Sequence, residues 1–101
     1  MLKWEVRELD LPGVQLIEPH RFTDERGWLS ETYNREFFVE QITSAEFVRD
    51  VASFSYAGVL RGLHYELPGN DKLVRVAAGS VCDVVVDLRH DAPTFGRWTM
   101  V

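Results

Sequence analysis

The chain has 101 residues and a mass of 11.6 kDa, enough for one small domain and too little for two. Apolar residues make up 46% and charged residues 27%, a balance that excludes a disordered chain. Sixteen acidic residues against eleven basic ones leave a net charge of −5; the excess lies in residues 1–50, which disfavours polymeric nucleic acid and anionic membrane as partners but leaves room for a diphosphate held by a few focused Arg and Lys side chains.

Trp4-Glu5-Val6-Arg7-Glu8-Leu9 alternates and predicts a half-exposed strand. Pro12-Gly13 marks a turn, and Val14–Glu18 a second strand closed by Pro19. Asp24-Glu25-Arg26-Gly27 is a tight turn, followed by a strand over Trp28–Tyr33. Asn34 is placed to cap a short helix over Arg35–Gln41. Further strands are expected at Phe47–Val51 and Val59–Glu66. After the turn Pro68-Gly69-Asn70-Asp71, Lys72–Ala77 is predicted to pair with Val81–Leu88 across Gly79-Ser80. His90-Asp91-Ala92-Pro93 reads as a loop, and Phe95–Val101 as the start of another strand.

About seven short strands and one helix, punctuated by Gly and Pro, predict an all-β sandwich or barrel. The apolar run Trp98–Val101 has no cap, charge or turn behind it, which predicts a fragment or shortened relative of a larger β-domain. Cys82 is the single cysteine, so no intrachain disulfide forms; within Val81–Val86 it reads as a core thiol. The opening residues hold no signal-peptide core, and no apolar run reaches the roughly 20 residues of a membrane span. A soluble, cytoplasmic protein is the expectation.

Among residues that can carry chemistry, His64 stands out because Arg61 precedes it and Lys72 follows after one turn. A histidine is the side chain suited to proton abstraction near neutral pH. Arg61 can hold a phosphate bidentately, and Lys72 can oppose a developing oxyanion. Arg61 and His64 are three apart, so a regular strand sends them to opposite faces unless Gly62 marks a bulge or twist. A second group, Asp24–Glu31, reads either as a polar turn with a salt bridge or as a loop presenting Arg26, with Trp28 or a neighbour to stack on a base and Glu31 as an acceptor. His20 and His90 read as surface residues. Asp83 and Asp87 share a strand face and read as exposed or cation-paired.

Four separated motifs resemble the dTDP-4-dehydrorhamnose 3,5-epimerase family: Asp-Glu-Arg-Gly at 24–27, Gly-Val-Leu-Arg-Gly-Leu-His-Tyr at 58–65, Lys-Leu-Val-Arg-Val at 72–76 and Pro-Thr-Phe-Gly at 93–96. The resemblance implies a cupin-type jelly-roll β-sandwich, here one partial domain over residues 1–101, truncated at its C-terminus. It implies a homodimer without metal or organic cofactor, acting on a dTDP-linked 4-keto-6-deoxy sugar. His64 resembles the base that removes the C3' and C5' protons, and Lys72 the residue that steadies the enolate oxygen. Arg61 resembles a pocket residue contacting substrate. Arg26, Glu31 and Phe22 resemble residues reaching the nucleotide end. Arg49 falls in a further substrate-contacting stretch, where Arg49, Val51 and Ala52 depart from the common pattern of Gln and Asn. Glu66 stands in place of a frequent glutamine. The family's acid tyrosine, and the aspartate paired with its base histidine, have no match in these residues. The alternative is a non-catalytic or altered-substrate sugar-nucleotide binding domain of the same fold.

Overall fold

The computed structural model describes residues 4–101; part of the opening stretch read above for a signal peptide, Met1–Lys3, lies outside them. The described residues contain six strands and one helix. In chain order these are β1 (Trp4–Glu8), β2 (Gln15–Pro19), β3 (Phe22–Asp24), β4 (Gly27–Leu29), α1 (Arg35–Gln41), β5 (Val84–Val86) and β6 (Trp98–Met100). The strands form three antiparallel two-stranded ladders, β1–β2, β3–β4 and β5–β6. The architecture is therefore antiparallel β with unclosed sheets, as in an incomplete sandwich of the cupin type. Two compact units are present: residues 4–34 with 76–101, and Arg35–Arg75.

The first unit holds all three ladders. In β1–β2, Val6 sits opposite Ile17 and Trp4 opposite Pro19. These four side chains are half-buried while Glu5 and Glu18 face water, which is the period-2 alternation visible in the sequence. The connection is tied by Leu9 N–H donating to Val14 O at 2.8 Å and Val14 N–H to Leu11 O at 3.0 Å. Gly13 adopts φ 87°, a conformation that costs glycine nothing and other residues a steric clash. That turn folds Leu11 inward, where it is buried.

Three strand expectations are corrected. Phe47–Val51, Val59–Glu66 and Lys72–Ala77 carry strand-like patterns, yet they enter no ladder among the described residues. Lys72–Ala77 does not pair with the Val81–Leu88 run. That run pairs with β6 instead, Val84 facing Met100, Val85 facing Thr99 and Val86 facing Trp98. Flanking bonds extend the ladder: Asp83 and Val101 exchange N–H···O bonds of 2.8 and 3.0 Å, and Asp87 N–H donates to Arg97 O at 2.8 Å.

The physical reason for this pairing lies in Asp87. Its buried carboxylate accepts from Arg89 N–H (2.9 Å), Nε (3.0 Å) and an Nη (2.8 Å), and from Thr94 Oγ1 (2.5 Å). The side chain therefore closes the loop that returns the chain to β6. Arg89 also donates to Pro12 O at 3.0 Å, joining this loop to the β1–β2 turn. The Gly79-Ser80 bend has no comparable staple among the described residues. Cys82 lies one residue outside the ladder and is exposed, so the expected core thiol is corrected as well.

In the second unit, α1 spans the predicted residues. Phe38 is buried and meets Phe47 edge to face, with centroids 6.2 Å apart. The helix ends as Ile42 and Thr43 N–H groups both converge on Phe38 O. Thr43 Oγ1 then accepts from Ala45 N–H and donates to Asp71 at 2.8 Å.

Candidate functional site

The candidate residues divide between the two units. In the first, β3 and β4 form a hairpin with Phe22 opposite Leu29, Thr23 opposite Trp28 and Asp24 opposite Gly27. The tight turn is closed by Asp24, which accepts from Arg26 N–H at 2.8 Å and from the Arg26 guanidinium at 2.5 Å. That hydrogen-bonded guanidinium holds the Asp24 carboxyl below its ordinary value, and the carboxylate raises Arg26 in turn. Both side chains are exposed, so the pair orients the turn more than it stabilises the fold. The salt-bridged polar turn expected from composition is thus present.

Around the hairpin lies an open pocket of about 410 Å³, lined by Phe22, Asp24, Arg26, Gly27, Trp28 and Leu29. Phe22 meets His20 edge to face at 4.6 Å. Glu31 follows the hairpin, half-buried, and accepts from Asn34 Nδ2 at 2.6 Å. Arg21 is a residue that the sequence reading did not single out. Its guanidinium carbon lies 4.2 Å from the Trp28 ring centroid. The signal that could have found it is cross-strand: on an antiparallel hairpin the position diagonal to Trp28 on the same face is residue 21.

In the second unit, His64 is exposed and lies outside regular structure. Gly62 has φ 110°, so the strand-parity obstacle between Arg61 and His64 does not arise. A Cβ placed on Gly62 would lie 3.4 Å from His64 Nδ1, so the imidazole folds back over the glycine. Arg61 turns to the preceding loop, donating from Nε to Ser55 Oγ at 2.8 Å and from an Nη to Phe54 O at 2.9 Å. Lys72 Nζ lies 3.7 Å from Glu66 Oε1, and Glu66 also accepts from Asn70 Nδ2. No hydrogen bond or ion pair links His64 to Arg61 or Lys72 among the described residues. Arg49 is exposed in the irregular stretch after α1. Among the described residues, no three His, Cys, Asp or Glu side chains group as metal ligands would, and no helix is long and apolar enough to cross a membrane.

The fold defines an antiparallel β-domain with unclosed sheets, whose β3–β4 hairpin borders an aromatic pocket. Residues 8–101 match the family model described as dTDP-4-dehydrorhamnose 3,5-epimerase, and the chain belongs to that family. Relatives carrying this same name include one from Pseudomonas aeruginosa, 49% identical over 92 residues, covering 89% of this chain and 51% of the relative. One from Shigella flexneri is 46% identical over 99 residues, covering 95% and 55%. Another from Neisseria gonorrhoeae is 46% identical over 95 residues, covering 93% and 29%. The chain thus spans about half the length, or less, of these curated relatives. No solved structure matches it significantly.

Proposed function

We propose that the protein acts in the epimerisation of a dTDP-linked 4-keto-6-deoxyhexose at C3' and C5', by proton removal to an enolate and proton return to the opposite face. The observation carrying this reading is the family match over residues 8–101, which contains His64, Arg61 and Lys72 within their motifs. The C4' ketone acidifies the C–H bonds on both sides of it. His64 is the base that takes each proton. Lys72 stabilises the charge that gathers on the C4' oxygen, after its ammonium leaves Glu66 for the substrate. Arg61 contacts the substrate, and Arg49 lies in the stretch flanking it. Arg26, Glu31 and Phe22 receive the nucleotide end. The chemistry itself calls for no cofactor.

The working unit in this reading is a homodimer in the cytoplasm. Val48, Phe54, Leu60, Leu63 and Leu67 are each at least 75% exposed. An apolar surface of that density favours cover by a second copy.

The test is incubation of the protein with a dTDP-4-keto-6-deoxyhexose in deuterium oxide. Deuterium entering C3' and C5' with inversion is the expected result; substrate returned unlabelled would overturn catalysis. The second reading is a binding domain without turnover. It draws support from the departures at Arg49, Val51 and Ala52 and from the local partners that Arg61 and Lys72 already hold. Saturable binding without exchange would select it.

Gly62 supplies a further expectation. A Gly62→Ala side chain would meet both an unfavourable φ and the imidazole 3.4 Å away. Deuterium exchange should slow by roughly tenfold to a hundredfold, while nucleotide affinity stays close to that of the parent protein. An unchanged exchange rate would show that the glycine does not set the histidine's position.

A further inference from the structure

We infer that Glu66 is a positioning residue for the epimerisation, a carboxylate that holds the Lys72 ammonium back and so sets how strongly Lys72 answers the enolate. This inference rests on the epimerase reading and concerns the partner that Lys72 must leave there. Lys72 Nζ lies 3.7 Å from Glu66 Oε1, a charge contact longer than a hydrogen bond. The other carboxylate oxygen, Oε2, accepts from Asn70 Nδ2. The group is thereby oriented across residues 67–70, with Oε1 left to the ammonium. Asp71, beside Lys72 in the chain, instead accepts from Thr43 Oγ1 at 2.8 Å. Among the described residues, Glu66 is the one carboxylate within ion-pair range of Lys72.

This pair can hold and can let go. Both side chains are exposed, and an ion pair in water is weak, so charge developing on a substrate oxygen competes with Glu66 for the ammonium. While the carboxylate stays beside Lys72, its field opposes that of the ammonium at any nearby oxyanion. The proton stays on Lys72 throughout, and only its partner changes. Removing the Glu66 charge therefore leaves Lys72 a stronger stabiliser of the enolate.

The experiment compares the whole protein with Glu66→Gln, which keeps the side-chain length and an oxygen for Asn70. One readout needs no substrate. Lys72 is one of two lysines, so in protein carrying carbon-13-labelled lysine Lys72→Arg assigns its Cε signal by subtraction. Glu66→Gln should move that signal; an unmoved signal would overturn the contact, whatever the protein's activity. The other readout is deuterium entry at C3' and C5' of saturating dTDP-4-keto-6-deoxyhexose at low salt. Glu66→Gln should raise kcat about two- to fivefold. Its ratio to the parent should shrink toward one in about 1 M salt, where charges are screened beyond roughly 3 Å. Asn70→Ala, which frees Glu66 but leaves its charge, should give a smaller rise.

A kcat that falls in Glu66→Gln, or a ratio indifferent to salt, would overturn the restraint while leaving the epimerase reading in place. A larger rise in Asn70→Ala than in Glu66→Gln would do the same and make the turn, not the charge, the cause. A parent protein that exchanges no deuterium would overturn the epimerase reading and the catalytic role of Glu66 together.

Discussion

Replacing His64 by asparagine is expected to lower the rate of deuterium entry at C3' and C5' by about 10²- to 10⁴-fold, the usual contribution of a positioned general base. Asparagine keeps a polar side chain of similar reach over Gly62 but cannot accept a proton from carbon at neutral pH. Binding should change little, because the residues proposed to receive the nucleotide lie on the β3–β4 hairpin or just after it and not beside His64 in the chain. Two measurements separate the roles: exchange by mass spectrometry and affinity by titration with thymidine 5'-diphosphate. A His64→Asn protein that exchanges at the parent rate would remove the histidine from the reaction. A protein that loses both properties together would make it a structural residue instead.

The second large effect concerns stability. Asp87→Ala is expected to lower the melting temperature by roughly 5–10 °C at pH 7, because it leaves Arg89 and Thr94 without their shared acceptor and opens the loop between β5 and β6. The effect carries a pH signature. The Arg89 guanidinium, then the Thr94 hydroxyl, then the Arg89 backbone N–H hold the Asp87 carboxyl well below its ordinary 3.8. A carboxyl lowered in the folded state favours folding while it is ionised. That contribution is complete well above pH 3.8 and is lost as the pH falls below it toward the folded-state value. Thermal melts at pH 7 and pH 3 should therefore converge: the parent protein loses more of its melting temperature on acidification than Asp87→Ala does. Parallel losses would show that the carboxylate does not staple the loop.

Much of the local structure was legible. The alternation Trp4–Glu8, the Pro12-Gly13 turn, the helix Arg35–Gln41 and the loop at His90–Pro93 all follow from short-range rules, and the structure has each of them. They share a physical basis: an amphipathic period, a turn residue or a cap acts within a few residues of itself. The candidate site was legible only as motifs. Residues 58–65 and 72–76 stand out as sequence, but neither their alternation nor their charges said that Arg61 would reach back to Ser55 or that Lys72 would sit against Glu66. The Asp87 cluster was visible as one half only. A cation-paired carboxylate was one of its two readings, whereas Arg89 two residues on and Thr94 across the loop became its partners through the turn between them.

The sequence by itself determined the family, the antiparallel β character, the single short helix and the turns at Pro12-Gly13 and Asp24–Gly27, because each depends on local backbone preference or on a motif that can be read without a partner. The tertiary structure decided which strands exist and what each cation holds. A strand is a property of two segments, so Lys72–Ala77 with a sound pattern stays unpaired while β5 closes on β6. A long charged side chain likewise takes the best acceptor or ring within reach, which is how Arg21 came to lie over Trp28 and Arg89 against Asp87.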